Sequence, residues 1–215
     1  MHAPVRGAST ATNEIEIDWS ELTAPDNGDA EVTSYSLEWD AGTDGSSWVS
    51  LAGYLSSYLD TTYLVTDNVI EGKSYRFRLR AKNVWGWGAY SSETTVKAAR
   101  EPAQMTHVAT SVDAATGDLV ISWQEPNIQG DAITEYLVEI ADAAQAQWTE
   151  YTPTCDGADP TLLSCQVAMS VLEADPYSYQ QGEMVIARIT AYNSYGAGLV
   201  STANSDGALL RTKPH

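Results

Sequence analysis

The stretch "SYRFRLRAKN" (74–83) carries arginine at every second position, Arg76, Arg78 and Arg80, and "VWGWG" comes directly after it with Trp85 and Trp87. An indole face attracts a guanidinium through the ring quadrupole, at roughly 0.5–2 kcal/mol per contact. In an extended chain, residues two apart share a face, so the three cations repel one another unless something lies between them. Two readings are open. Either the tryptophans stack on the arginine stripe, or they project as an aromatic anchor for a protein partner. A second stretch, "NSYGAGLVST" (193–202), keeps the asparagine, both glycines and the serine but has Tyr195 and Ala197 in place of the tryptophans. Its preceding segment retains only Arg188 of the stripe, with Ile186 and Thr190 beside it. Arginines and tryptophans disappear together, which favours stacking.

The remaining reactive residues are sparse. Cys155 and Cys165 flank "DGADPTLLS", which begins with the turn-forming pairs Asp-Gly and Asp-Pro. Two thiols across such a bend are expected to form one disulfide, and a disulfide points to an oxidising compartment. With no histidine nearby they do not complete a tetrahedral zinc site. Of the three histidines, His2 and His215 are terminal and His107 opens the second half; none joins a nucleophile and an orienting acid. No phosphate-binding loop, dinucleotide fingerprint, nucleophile elbow or metalloprotease motif occurs. The expectation is a protein that is not an enzyme and uses no cofactor.

Charge narrows the partners. The chain of 215 residues has 11 Lys+Arg against 29 Asp+Glu, a formal net charge of −18. Nucleic acid binding calls for clustered cations and is excluded. The acidity would attract calcium only loosely; the nearest candidate loop, "DAGTDG" (40–45), lacks the alternating ligands and terminal glutamate of an EF-hand. No apolar run reaches the roughly 20 residues of a membrane span, so direct membrane insertion is not expected. "MHAPVRGAST" lacks the apolar stretch of a signal peptide, and the expectation from its Met-His start is a fragment of a larger protein, of which this absence says little. Neither Arg-Gly-Asp nor an Asn-x-Ser/Thr acceptor is present.

The elements that position these residues come from a pattern written twice. "IEIDW" (15–19) and "LVISW" (119–123) alternate apolar and polar residues and end in Trp19 and Trp123. Each leads into a Pro/Asn/Gly turn and a Tyr-led strand: Tyr35, Leu37, Trp39 against Tyr136, Val138, Ile140. Trp48 matches Trp148, and "EGKSYRFRLRAKN" (71–83) matches "QGEMVIARITAYN" (181–193). Short alternating segments rich in Val, Ile, Tyr, Trp and Thr, separated by Gly, Pro, Asn and Asp, predict antiparallel β-sandwiches. Two all-β domains are expected, at 1–101 and 102–215, the second with a cysteine-bridged insertion between Trp123 and Asn193, where its cysteines sit. Trp19 and Trp123 are expected in the two cores. The joining segment "AAREPAQMT" (98–106) is short and should limit the angle between the domains.

As a set, these features resemble tandem fibronectin type III domains, and the cysteine-bearing second copy is also similar to the repeat arrays of ciliate and other protist surface proteins. The resemblance implies an immunoglobulin-like sandwich with a tyrosine corner. Tyr75 fits that role; the second copy has Val185 there, with Tyr177 and Tyr179 nearby as substitutes. The arginine–tryptophan arrangement resembles the ladder of cytokine receptors, although Trp-Ser-x-Trp-Ser itself is absent. The expected function is that of a structural or adhesive module pair of a larger extracellular or cell-surface protein, contacting protein partners or neighbouring domains. A receptor ectodomain using the inter-domain elbow, an accessory module of a secreted carbohydrate-active enzyme and an intracellular cytoskeletal array are the alternatives.

Overall fold

The computed structural model describes residues 1–106 and 108–212; His107 and His215 lie outside them. The chain divides into two compact units, Met1–Arg100 and Glu101–His215.

The first unit has eight strands, β1 (Val5–Arg6), β2 (Ile15–Asp18), β3 (Ser34–Trp39), β4 (Val49–Ala52), β5 (Thr62–Val65), β6 (Ser74–Asn83), β7 (Gly86–Trp87) and β8 (Thr94–Lys97). They form two antiparallel sheets. One has the order β1-β2-β5; the other runs β4-β3-β6-β7, with β8 also paired to β6. Alternation makes the sandwich: along β6 every second side chain is buried, from Tyr75 through Phe77 and Leu79 to Ala81. Ile15 and Ile17 of β2 and Tyr35, Leu37 and Trp39 of β3 meet them in one core, which Trp19 closes at 7% exposure. Trp39 stacks on Tyr75 at 5.2 Å between ring centroids.

The second unit repeats the plan with β9 (Val108–Val112), β10 (Leu119–Trp123), β11 (Glu135–Ala141), β12 (Trp148–Glu150), α1 (Thr152–Cys155), β13 (Ser164–Val167), α2 (Met169–Leu172), β14 (Ala187–Asn193) and β15 (Gly196–Ala197). The sheets are β13-β10-β9 and β12-β11-β14-β15. Trp123, 6% exposed, meets Tyr136 edge-on as Trp19 meets Tyr35. In both units a glycine after the fourth strand cannot be replaced. A Cβ on Gly53 would lie 1.5 Å from the Tyr35 carbonyl oxygen, and one on Gly157 1.7 Å from that of Tyr136.

The insertion is not where the cysteines suggest. Val65 pairs with Ile15 and Val167 with Leu119, so these valines are equivalent, 102 residues apart. Trp48 and Trp148 are 100 apart, whereas Tyr75 and Val185 are 110 apart. The cysteine segment is therefore almost the length of its counterpart, and most of the extra chain comes after β13. It forms α2, whose Met169 and Leu172 are buried, and continues through buried Tyr177 and Tyr179. A helical turn there buries apolar side chains that a plain link between the sheets would leave outside.

Candidate functional site

The outer face of the sheet β4-β3-β6-β7 gathers most of the sequence-derived candidates. Arg76, Arg78 and Arg80 alternate with the core residues of β6 and are part-exposed. Their neighbours differ. Arg76 pairs with Asp44 and Glu93, and the hydrogen bond and charge of Asp44 raise its pKa. Arg78 donates from Nε at 2.9 Å and Nη2 at 2.6 Å to Oε2 of Glu38, its cross-strand partner on β3. Its guanidinium carbon lies 4.1 Å from the ring centroids of both Trp48 and Tyr90. Arg80 lies 4.5 Å from Tyr90, 4.8 Å from Trp87 and 5.7 Å from Tyr54. Lys82 is next along the strand face, 5.6 Å from Trp87, which stands opposite it in the ladder.

The result is a row, Trp48–Arg78–Tyr90–Arg80–Trp87–Lys82, in which rings separate like charges. Tyr90 is fixed within it by donating its hydroxyl to Glu38 Oε1 at 2.5 Å. Burial, then that hydrogen bond and the Glu38 charge, raise its pKa, so the phenol stays a donor.

Sequence reasoning leaves stacking and partner contact open for the two loop tryptophans, expecting at least one on the stripe; the structure separates them. Trp87 is on the row, while Trp85 is 84% exposed at the turn between β6 and β7, beside Val84 at 76%. The physical reason is β-alternation: Trp87 pairs with Lys82 and shares its face, whereas Trp85 sits in the turn itself. Two rungs escape the sequence reading altogether. Trp48 comes from just before β4 and Tyr90 from the segment after β7, both outside the strand that carries the arginines. A signal for Trp48 is present in the sequence: Trp148 is its repeat, and Arg188 stacks on it at 4.2 Å.

The second unit thus keeps one complete rung. Arg188 donates to Glu139 from Nε at 2.8 Å and Nη2 at 3.0 Å, with Trp148 against it. The idea that arginines and tryptophans vanish together needs this correction. What disappears is Arg76 and Arg80, replaced by buried Ile186 and Thr190, and Trp87, replaced by Ala197.

The residues that the two glycine loops share are those the turn needs. Asn83 Oδ1 accepts from Trp85 N and Asn193 Oδ1 from Tyr195 N, each at 2.9 Å. Gly86 and Gly196 have φ of 123° and 132°, open to glycine alone. Ser91 and Ser201 hydroxyls accept from the amides of Leu79 and Ile189. The scaffold is constant and the displayed side chains differ.

The other candidates are structural in placement. Tyr75 Oη accepts from Ile70 N at 2.7 Å and donates to Asn68 O at 3.0 Å, which is the tyrosine corner. In the second unit the tyrosine has changed elements. Tyr179, in the link, accepts from Ile186 N at 3.1 Å, while Val185 fills the core at 0% exposure. Cys155 on α1 and Cys165 on β13 are bonded at 2.06 Å, with 5.2 Å between their Cα atoms. The "DAGTDG" loop uses its first carboxylate internally: Asp40 accepts from the amides of Gly42, Gly45 and Arg76. Among the described residues no group of three or more His, Cys, Asp or Glu is placed to hold a metal, and no helix is long and apolar enough to cross a membrane.

Two antiparallel sandwiches in succession, each with its corner tyrosine and its Asn/Gly turn before the last strand, define the fold as fibronectin type III. Among known proteins, the chain is 27% identical over 186 residues to fibronectin type-III domain-containing protein 3a of chicken, covering 83% of this chain and 15% of that protein. It is 30% identical over 118 residues to the mouse protein 3A, covering 52% of this chain and 10% of that one. The chain therefore spans a small part of these relatives. The chicken CNTN1 FN1–FN3 crystal structure aligns with 94% of this chain and 64% of its own at a TM-score of 0.41 and 17% identity, a loose likeness. No family model matches the chain.

Proposed function

We propose that this pair of domains is a non-catalytic protein-interaction module of a larger extracellular or cell-surface protein, spacing or presenting domains for adhesive contact. The observation that carries the reading is the exposure of Trp85 on a turn whose Asn and Gly framework the second unit repeats. Removing the large apolar surface of an indole from water is favourable, and large exposed aromatics are the usual anchors of protein interfaces. The same turn in the second unit carries Tyr195 instead, so the two domains offer different surfaces on one scaffold. The Cys155–Cys165 bond supports an oxidising compartment. The ladder residues serve the same end by stiffening the strands from which the turn projects.

The test is adhesion. Beads coated with the two-domain protein should bind intact cells, and Trp85→Ala should abolish binding while leaving the melting curve unchanged. Binding that persists in Trp85→Ala would remove the turn from the contact. No binding by the parent protein to any cell type would count against the adhesive reading.

A further inference from the structure

We propose that Arg80 and Lys82, with the cleft beside them, form a docking site for an acidic peptide segment in which carboxylates neighbour apolar side chains. The proposal deepens the interaction-module reading and rests on it.

Charge comes first. Arg76 is matched by Asp44 and Glu93, and Arg78 by Glu38. Arg80 has rings around it but neither an ion pair nor a side-chain hydrogen bond among the described residues, and its Nε is buried without a partner. The exposed Lys82 side chain meets only the Trp87 ring among the described residues. In a chain with 29 acidic and 11 basic residues, two neighbouring cations on one strand face left without a carboxylate form an unmatched cationic donor site. Rings shield the Arg80 guanidinium from water, which strengthens its attraction to an incoming carboxylate, and charge-assisted bonds to such a group are the strong ones.

The second element is space. A cleft of about 390 Å³ adjoins the cation row and shares Lys82, Trp87 and Tyr90 with it. Leu22, Val32 and Trp85 contribute apolar wall, and Asp26 is its one acid. A side chain of Leu or Phe size in the cleft would set a neighbouring carboxylate beside Lys82 in its wall, with Arg80 the next cation along the row beyond Trp87. A sulfated polysaccharide fits less well. It needs a run of free cations, whereas this face offers two, with Asp26 in the cleft wall and Glu38 engaged by Arg78 and Tyr90, in a chain of net charge −18. The second domain is a built-in control, with Thr190, Tyr192 and Ala197 at the positions of Arg80, Lys82 and Trp87.

The experiment is selection of a random displayed peptide library on the two-domain protein, then titration of the best synthetic peptide. Peptides pairing Asp or Glu with Leu, Ile or Phe should be enriched. Arg80→Gln/Lys82→Gln should weaken the chosen peptide about tenfold or more, as loss of charge-assisted bonds implies. Because Arg80→Gln also removes a stacking partner, Lys82→Gln alone, at an exposed side chain, should still weaken it about threefold, and Lys82→Arg should restore binding. Enrichment of uncharged or basic peptides, or equal affinity for parent and variants, would overturn the proposal. So would heparin retention at physiological salt that the double variant loses in the absence of peptide enrichment, which would assign the face to a glycan. Dimerisation in sedimentation that the double variant abolishes would assign it to a second copy of the chain, with the same consequence. Cell adhesion lost in Trp85→Ala but unchanged in the double variant would leave the interaction module standing and remove this docking site.

Discussion

Arg188 and Glu139 face each other across β14 and β11, joined by two hydrogen bonds, and Arg78 and Glu38 repeat the pair at the same register in the first domain. Each arginine also lies on a tryptophan, Trp148 or Trp48, from the strand edge beyond. The unit fastens three neighbouring strands of its sheet to one another outside the core. Its arginine is only part-exposed and its glutamate less so, so the pair is better shielded than an ordinary surface ion pair.

Double-mutant cycles should detect this unit. Arg78→Ala with Trp48→Ala, and Arg188→Ala with Trp148→Ala, should each show a coupling of about 0.5 kcal/mol or more in denaturant unfolding. Arg80→Ala with Trp87→Ala should couple similarly. Arg78→Ala with Trp85→Ala should be additive, because no stacking contact joins them. Additivity in the first two cycles would mean that the stacking contributes nothing to stability.

The two corner tyrosines should give opposite hydrogen-exchange signatures. Tyr75→Phe removes an acceptor from Ile70 N and a donor to Asn68 O, and should cost roughly 1–2 kcal/mol. The Ile70 amide should then exchange faster. Tyr179→Phe should instead release the amide of Ile186. Unchanged exchange at Ile186 would show that the second corner is held by packing alone.

Tyr136 sets an alkaline limit on the second domain. Burial, then the Glu125 charge, push its pKa up from the ordinary value near 10 to about 12, against a smaller opposing effect of the Trp123 indole, and no hydrogen bond of ordinary geometry reaches its hydroxyl among the described residues. The folded protein thus keeps this proton where the unfolded chain loses it. Its contribution to stability is complete below pH 10 and falls as pH rises from 10 through about 12, by at most ~2–3 kcal/mol. Stability measured against pH should be about one proton shallower in Tyr136→Phe over that window. At neutral pH the same variant should be close to neutral, whereas Tyr35→Phe should cost about 1 kcal/mol by losing the bond from Leu22 N. An unaltered slope in Tyr136→Phe would remove Tyr136 as the cause.

Reduction should act on one domain only. Cys155 and Cys165 are 10 residues apart, and the disulfide joins α1 to β13 of the second unit. Loop closure of that size is worth roughly 2–3 kcal/mol. Reduced protein should show faster exchange across β10 and β13, with amides of β3 and β6 unchanged. Equal loosening of both units would contradict this.

The sequence by itself determined the two-sandwich fold, because period-two alternation specifies which side of each strand is apolar and the pattern is written twice. It also determined the inward set Tyr75, Phe77, Leu79 and Ala81, and with it the outward stripe of arginines. Only the tertiary structure decided what covers that stripe. Trp48, Tyr54 and Tyr90 arrive from edge and loop segments, and their contacts depend on cross-strand register, including the shift between Leu37 and Glu38 where β4 joins β3. Alternation within one segment carries no information about which residue of another segment stands beside it. For the same reason the sequence points to an insertion at the cysteines, whereas pairing of Val65 and Val167 with the second strand of each unit puts it after β13. The migration of the corner tyrosine from β6 to the link before β14 is likewise tertiary, since a hydrogen bond across the corner closes from either side.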